Sequence, residues 1–277
     1  MLQAIPWILT IVLYTPAFIN LYSARWDAID YTHAYFILPL SLLIVWLKRH
    51  EISVIARNEA TRQSRPTSYI LHLTLLILGL AMFTFGWRWD YLFISTLSLI
   101  PLLFGICLFL YNKDLAKTLA FPILYLLLLV PIPIGVLDNI TLPMRYAASV
   151  LSAHILTAMQ YDIVREGLLI NMGGHEIFMG APCSGFRSLI TMMSLGLVYI
   201  YFNKGKLSKN LILFVSIFPL ALIGNLVRII ALCLITFYFG EEAGQGFFHD
   251  FSGMVMFLII ILGLIGFEKA LNRKLPL

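Results

Sequence analysis

Long apolar stretches dominate this chain from end to end. The hydrocarbon core of a bilayer is about 30 Å thick, and a helix needs roughly 20 apolar residues to cross it. Polar residues fall mostly in the intervals between stretches of about that length. The predicted spans lie near residues 4–22, 32–47, 67–86, 91–111, 118–136, 185–202, 210–238 and 251–268. The pattern therefore predicts an all-α polytopic membrane protein with about eight transmembrane helices.

Composition agrees with a protein whose main solvent is the lipid bilayer. The chain is 60% hydrophobic and 12% charged, with a mean hydropathy of +0.90, whereas soluble domains carry about 25% charged residues. We expect a single domain over residues 1–277. The first apolar stretch lacks the basic start and cleavage site of a signal peptide, so a retained helix is predicted. No segment interleaves basic residues with surface aromatics, which excludes nucleic acid as a partner.

The basic residues predict the orientation of the chain. Thirteen of the 19 Lys and Arg residues fall in four short segments. Cytoplasmic loops hold an excess of Lys and Arg, so these segments are predicted to lie inside the cell. They are residues 48–66, 112–117, 203–209 and 269–277. The N-terminus is then cytoplasmic, and the long segment 137–184 lies on the outer side.

The outer segment has two predicted parts. Residues 143–161 place apolar side chains at helical spacing and predict an interfacial amphipathic helix. These side chains are Met144, Ala147, Ala148, Leu151, Ile155 and Met159. Residues 167–180 mix glycine with short apolar runs and predict an irregular or hairpin-like approach to the next helix. Elsewhere, Pro122, Pro131, Pro133 and Pro219 are predicted to kink their helices.

Cys183 is the residue best placed for chemistry. It ends the outer segment and is predicted to open the sixth helix. The free N–H groups and dipole of a helix N-terminus favour a thiolate and are expected to lower the thiol pKa. Arg187, four residues further on, adds a cation on the same face. Cys107 and Cys233 lie inside apolar stretches, where a thiol usually only fills space.

Two further polar residues are predicted to reach the same outer layer. Arg228 lies in the seventh apolar stretch, where burial of a guanidinium in lipid is costly and indicates function. His249 stands at the outer entry to the last helix. A thiol, an imidazole and a guanidinium are the minimum set for acyl transfer. The string His175-Glu176 lacks the second histidine of HExxH, so no metal or cofactor is expected.

Two other functions are compatible with an outer-facing polar cluster. In a transporter or channel subunit, Arg228 and His249 would line a substrate path. The sequence shows no internal repeat, which disfavours a transporter. A membrane-bound acyl or glycosyl transferase would also fit the cluster.

Four strings, spread over both halves of the chain, resemble the exosortase and archaeosortase family of membrane transpeptidases. They are Cys183-Ser184-Gly185 with Arg187, Asn225-x-x-Arg228-Ile229, His249 followed by Gly253, and the early string from Asp30 to Pro39. Within the early string, Ala34 stands where the family has glycine more often. Each string alone is weak, but their shared order and spacing make the resemblance specific.

The resemblance implies a set of roles and a substrate class. Cys183 would be the nucleophile, His249 the acid and base, and Arg228 the group that steadies the thiolate or oxyanion. Arg187, Asn225 and His33 would support them. The substrates would be membrane-anchored secreted proteins with a C-terminal, PEP-CTERM-like sorting signal, cleaved through a thioester. A histidine as partner matches the bacterial branch, which implies a bacterial cytoplasmic (inner) membrane with the active site facing outward.

Overall fold

The structure, a computed structural model, describes residues 4–23, 31, 33–61, 69–111, 113–203, 207–245 and 247–274. Asp30 and Thr32 of the early string lie outside the described residues. The helices are α1 (Ile5–Leu21), α2 (Ala34–Leu47), α3 (Arg49–Thr61), α4 (Tyr69–Arg88), α5 (Leu92–Leu97), α6 (Leu99–Leu110), α7 (Lys113–Thr118), α8 (Ala120–Tyr125), α9 (Ile134–Ala158), α10 (Phe186–Phe202), α11 (Leu207–Phe239), α12 (Glu241–Gln245) and α13 (Phe247–Lys274). The strands are β1 (Ile163–Glu166), β2 (Leu169–Met172) and β3 (His175–Phe178).

Backbone contacts divide the chain into two compact units. The first unit is Met1–Pro133, with α1 to α8, and the second is Ile134–Leu277, with the sheet and α9 to α13. The single domain over residues 1–277 stays a prediction.

Helix length and hydropathy identify a membrane protein. Among the described residues, three helical segments are long and apolar enough to cross a bilayer: Ile70–Arg88, Leu92–Leu110 and Ser208–Phe239. Shorter apolar helices occupy Ile5–Leu21, Ala34–Leu47, Ala120–Leu129 and Phe186–Phe202. Only 22% of the apolar stretch of α4 is buried inside the protein, so the remainder is available to contact lipid. The total of eight spans stays a prediction.

In the first unit, α4 and α6 pack backbone against backbone. A Cβ on Gly79 would lie 2.8 Å from the Leu102 backbone nitrogen, and one on Gly105 would lie 2.9 Å from Leu76. Small residues at helix contacts are the usual means of close packing within a bilayer. The glycines therefore fix the spacing of this helix pair.

The fifth predicted span, 118–136, is broken by its prolines. Helix α8 passes into a 3-10 segment, Leu126–Leu129, and the chain leaves the helix at Val130, whose ψ is 117°. A proline disfavours the helical conformation of the residue before it, and Pro131 follows directly. Pro131 and Pro133 thus end one helix, and α9 starts at Ile134 as a separate element.

Helix α9 is continuous from Ile134 to Ala158, so it begins nine residues before the predicted interfacial helix. Its burial only partly follows the predicted pattern. Leu151, Ile155 and Met159, of the predicted apolar stripe, are exposed, whereas Met144 and Ala148 of the same stripe are partly buried. The buried face mixes Ser149 and Ser152 with Leu156. The interfacial position predicted for this helix is not confirmed.

A three-stranded antiparallel sheet follows α9, so the all-α prediction needs a correction. The strands pair in the order β1-β2-β3. Two-residue turns join them, and Gly167, Gly173 and Gly174 adopt positive φ there, as tight hairpins require. The hairpin-like prediction for residues 167–180 is confirmed, although strand β1 begins before that range.

The sheet packs on α9 and α11 through a buried cluster. Its members are Leu156, Ile170, Met172, Met179, Ile229 and Cys233. Cys183 packs against the edge of this cluster. A second cluster, formed by Leu189, Met192, Ile217, Ala221 and Ile260, joins α10, α11 and α13. Cys183 thus lies against the first of these two clusters.

Candidate active site

The cysteine turn, Ala181–Ser184, connects the sheet to α10 as one 3-10 turn. The Cys183 N–H donates to the Gly180 carbonyl over 3.0 Å. Proline suits the first positions of a helical turn, where its missing N–H has no partner to lose. Helix α10 begins only at Phe186, so Cys183 precedes that helix instead of opening it as predicted.

Gly185 lets the chain pass from the cysteine turn into α10. Its φ is +74°, in the left-handed region that glycine adopts without strain. A Cβ at this position would lie 2.9 Å from Cγ of Asn225. Glycine is therefore required both by the backbone and by the close approach of α11.

Asn225 of α11 anchors the backbone of Cys183. Its Nδ2 donates to the Cys183 carbonyl oxygen over 2.8 Å, and the side chain is 2% exposed. Its Oδ1 is buried without a hydrogen-bond partner among the described residues. A buried amide oxygen without a hydrogen bond lowers stability. Such groups are rare in native proteins, and a functional role is one explanation for them.

Arg228 lies three residues beyond Asn225, on the same face of α11. Its side chain is partly buried, and its positive charge acts on the Cys183 thiol. One helix thus supplies both the backbone anchor and a cation to the same cysteine. The common membrane depth predicted for Cys183 and Arg228 stays a prediction.

Burial determines the resting ionisation of the thiol. It raises the pKa of Cys183 above its ordinary value, and the Arg228 charge, a backbone hydrogen bond at Gly180 and the Arg145 charge oppose the rise. The net direction is upward, so the predicted lowering of this pKa is wrong. The thiol lies before the helix start and against an apolar cluster, where desolvation outweighs the dipole.

Arg187 is exposed on α10. Within the described residues, the cations whose charge acts on Cys183 are Arg228 and Arg145. The four-residue spacing that predicted a contact assumed one continuous helix. Gly185 interrupts that helix, so the four-residue spacing does not place the two residues on one helical face.

His249 is the third residue of α13, near the start of the last helix as the sequence predicted. Its side chain lies outside the described part of the structure. The approach of its imidazole to Cys183 stays a prediction.

His33 belongs to the first unit, where it is buried at the start of α2. Its Nε2 lies 3.3 Å from the Leu128 carbonyl oxygen, and its ring centroid lies 5.5 Å from that of Tyr31. The Tyr31 hydroxyl in turn bonds to the backbone of Ile132. These contacts give His33 a packing role in its own unit, and its support of the cysteine site stays a prediction.

The two other cysteines are fully buried, as expected for thiols that fill space. Cys107 lies on α6 of the first unit. Cys233 lies on α11, in the cluster whose edge Cys183 touches.

Arg145 is the site residue that the sequence reasoning missed. It lies in the long segment 137–184 predicted on the outer side and belongs to none of the four family-like strings. Helix α9 contacts the cysteine turn, and Ala148, three residues after Arg145, packs in the cluster that holds Cys183. The signal was available in the sequence as a lone arginine among the apolar positions of a helix.

Fold and site together define a helical membrane protein in which two arginine charges act on a partly buried cysteine. Residues 26–266 match the family profile of transmembrane exosortases, and the chain belongs to this family. The matched range includes Cys183, Arg228 and His249. No curated protein and no solved structure gives a significant match. Membership of the family supports a transpeptidase-like role in the membrane.

Proposed function

We propose that this protein is a cysteine peptidase and transpeptidase that cleaves the C-terminal sorting signals of secreted proteins through a thioester on Cys183. The site is proposed to face outward from a bacterial cytoplasmic membrane. The family match supports the transpeptidase class. The excess of basic residues in segments assigned to the cytoplasm supports the orientation.

The observation that carries the proposal is the pairing of Asn225 and Arg228 on one face of α11. Asn225 holds the Cys183 carbonyl, and the Arg228 charge acts on the Cys183 thiol. A cysteine that only filled space would need neither a backbone anchor nor a cation. Both are what a nucleophilic thiol in an apolar setting requires.

The proposed reaction proceeds in two acyl transfers. His249 first accepts the proton of the Cys183 thiol. The thiolate attacks the scissile carbonyl carbon, and the Arg228 guanidinium stabilises the oxyanion or the attacking thiolate. The C–N bond then breaks, and His249 protonates the leaving amine, which leaves a thioester on Cys183. An acceptor amine or water attacks the thioester, loses its proton to His249 and releases the thiolate.

The proposed substrate explains why such a site would lie in a membrane protein. A sorting signal with its own transmembrane helix diffuses in two dimensions and presents its scissile bond at a fixed depth. Holding the bond at one level beside the thiol lowers the entropic part of the barrier.

Co-expression with a candidate substrate tests the nucleophile. Cys183→Ala and Cys183→Ser are compared with wild type at matched membrane abundance, and the fraction of cleaved substrate is measured. Loss of the nucleophile is expected to lower processing by at least about 1,000-fold. Cys107→Ala, which removes a thiol from the first unit, is the matched control and is expected to retain processing.

Normal processing by Cys183→Ala would make the thiol structural and overturn the proposal. Trapping of a hydroxylamine-sensitive adduct between wild type and substrate, absent from Cys183→Ala, would support the thioester directly. Absence of both the adduct and any processing in wild type would equally count against a peptidase.

A further inference from the structure

We propose that Arg145 is a second cationic residue of the cysteine site and stabilises negative charge at Cys183 together with Arg228. This inference rests on the proposed function, because the anion it serves is the thiolate or the oxyanion of that reaction.

The position of Arg145 on α9 is the first observation. Thr141, four residues before it, and Ser149, four residues after it, are buried, so Arg145 lies on the inward face of the helix. Its side chain is only 14% exposed. Helix α9 contacts the cysteine turn, and Ala148, three residues after Arg145, packs against the cluster that Cys183 touches.

The weak pairing of Arg145 is the second observation. Its Nη2 lies 3.9 Å from Oδ1 of Asp138, a side chain that is 63% exposed, and 3.5 Å from Oγ1 of Thr141. Its Nε is buried without a hydrogen-bond partner among the described residues. Burying a charged guanidinium costs free energy unless an anion lies close to it. The weak contacts with Asp138 and Thr141 therefore indicate a further anionic partner.

The anion that fits is at the cysteine turn. The charge of Arg145 acts on the Cys183 thiol in the same direction as that of Arg228. Of the other elements packed on the turn, α10 carries Arg187, which is exposed, and α11 carries the neutral thiol of Cys233 as well as Arg228. Two cations from two helices therefore converge on one potential anion.

The test measures the pH profile of Cys183 alkylation by iodoacetamide in the full chain, read by mass spectrometry of the Cys183 peptide. Arg145→Gln is expected to shift the profile upward by about one pH unit, since the variant loses a positive charge that favours the thiolate. Arg145→Lys keeps the charge and is expected to restore most of the wild-type profile. Arg165→Gln removes a guanidinium from strand β1 of the same unit and is the matched control, with no shift expected.

Superimposable profiles for Arg145→Gln and wild type would overturn the proposal. If Arg145→Gln is not recovered from membranes, the proposal is tested with Asp138→Asn, a substitution at an exposed side chain. It releases Arg145 from its competing carboxylate and is expected to shift the profile downward by about 0.3 pH unit. No shift, or an upward one, overturns the proposal. The assay needs no substrate, so its failure is distinct from a failure of the peptidase activity.

Discussion

At the scale of single residues, desolvation and nearby positive charge have opposite effects on the pKa of the Cys183 thiol. The apolar cluster at the edge of the cysteine turn favours the neutral thiol, while Arg228 and Arg145 favour the thiolate. In the resting protein desolvation prevails. A raised thiol pKa favours the neutral thiol, so the proposed reaction requires a base to generate the thiolate, the role proposed for His249.

Removing the Arg228 charge is expected to make the thiol less reactive. The positive charge lowers the thiol pKa, so Arg228→Gln is expected to move the alkylation profile of Cys183 upward by about one pH unit. Arg228→Lys keeps a charge and is expected to stay near wild type. The measurement is the iodoacetamide profile described for Arg145. A profile unchanged by Arg228→Gln would show that solvent screens this guanidinium from the thiol.

The residue scale also shows what sequence can and cannot reveal. Cys183, Asn225 and Arg228 were predicted from short strings, and the structure brings these three together in the second unit. The pKa direction was predicted wrongly because burial of one side chain depends on tertiary packing. Arg145 was missed because its importance depends on which face of α9 points inward.

At the scale of elements, α9 departs from the pattern expected in water. There, an apolar stripe at helical spacing marks the buried side of a helix. In this chain part of the stripe is exposed, and the buried face combines Ser149 and Ser152 with Leu156. The helix itself was predictable from spacing, whereas the direction of its faces was not. Helix α3 is an element that the apolar pattern did not predict. It occupies part of the basic segment 48–66, which was predicted only as a cytoplasmic connection.

The turn between β2 and β3 offers a test of how the sheet is held on α11. A Cβ on Gly173 would lie 2.4 Å from Cε2 of Phe237, a ring packed between Tyr161 and Tyr238. Gly173→Ala is expected to lower the free energy of unfolding by about 2–3 kcal/mol through backbone strain and overpacking. The measurement is thermal unfolding of the detergent-solubilised protein.

Gly174→Ala is the matched control for that test. Gly174 has φ +86° but open space around its Cβ position, so it carries the backbone strain alone. A loss of about 1 kcal/mol is expected. Equal losses for the two variants would mean that Phe237 moves freely aside and does not fix the sheet.

At the scale of the whole molecule, hydropathy predicted the order of the apolar helices well. A described helix overlaps each of the eight predicted spans. Their boundaries depend on prolines and on local packing, so the fifth span was wrong where Pro131 and Pro133 end the helix. The small sheet was foreseen only as a hairpin, because its strands are four residues long.

The opposite end of the second unit is held by a polar contact among three helices. Lys209 of α11 lies 2.8 Å from Glu268 of α13, with side chains 13% and 22% exposed. The hydroxyl of Tyr199 on α10 donates to the same carboxylate over 2.6 Å. Glu268→Gln is expected to lower the free energy of unfolding by about 1–2 kcal/mol, because it leaves a mostly buried ammonium without its partner. Thermal unfolding is the measurement.

An exposed ion pair provides the control for this prediction. Lys117 and Asp114 lie 3.8 Å apart and are 68% and 71% exposed. Asp114→Asn is expected to change stability by less than about 0.5 kcal/mol. If both variants cost the same, the contact at Glu268 is no stronger than a surface pair.

The placement of Asn225 and Arg228 on a single helix couples the positions of Cys183 and its cation when that helix moves. A membrane helix tilts and shifts as the bilayer thickens or thins. Because α11 carries both the hydrogen bond to Cys183 and the cation whose charge acts most on its thiol, such a displacement moves the cysteine and its cation as one body. Arg145 lies on a different helix, α9. The spacing of Cys183 and Arg228 is thus set by helix geometry and is expected to stay constant among lipids of different chain length, while the Arg145 contribution varies with them.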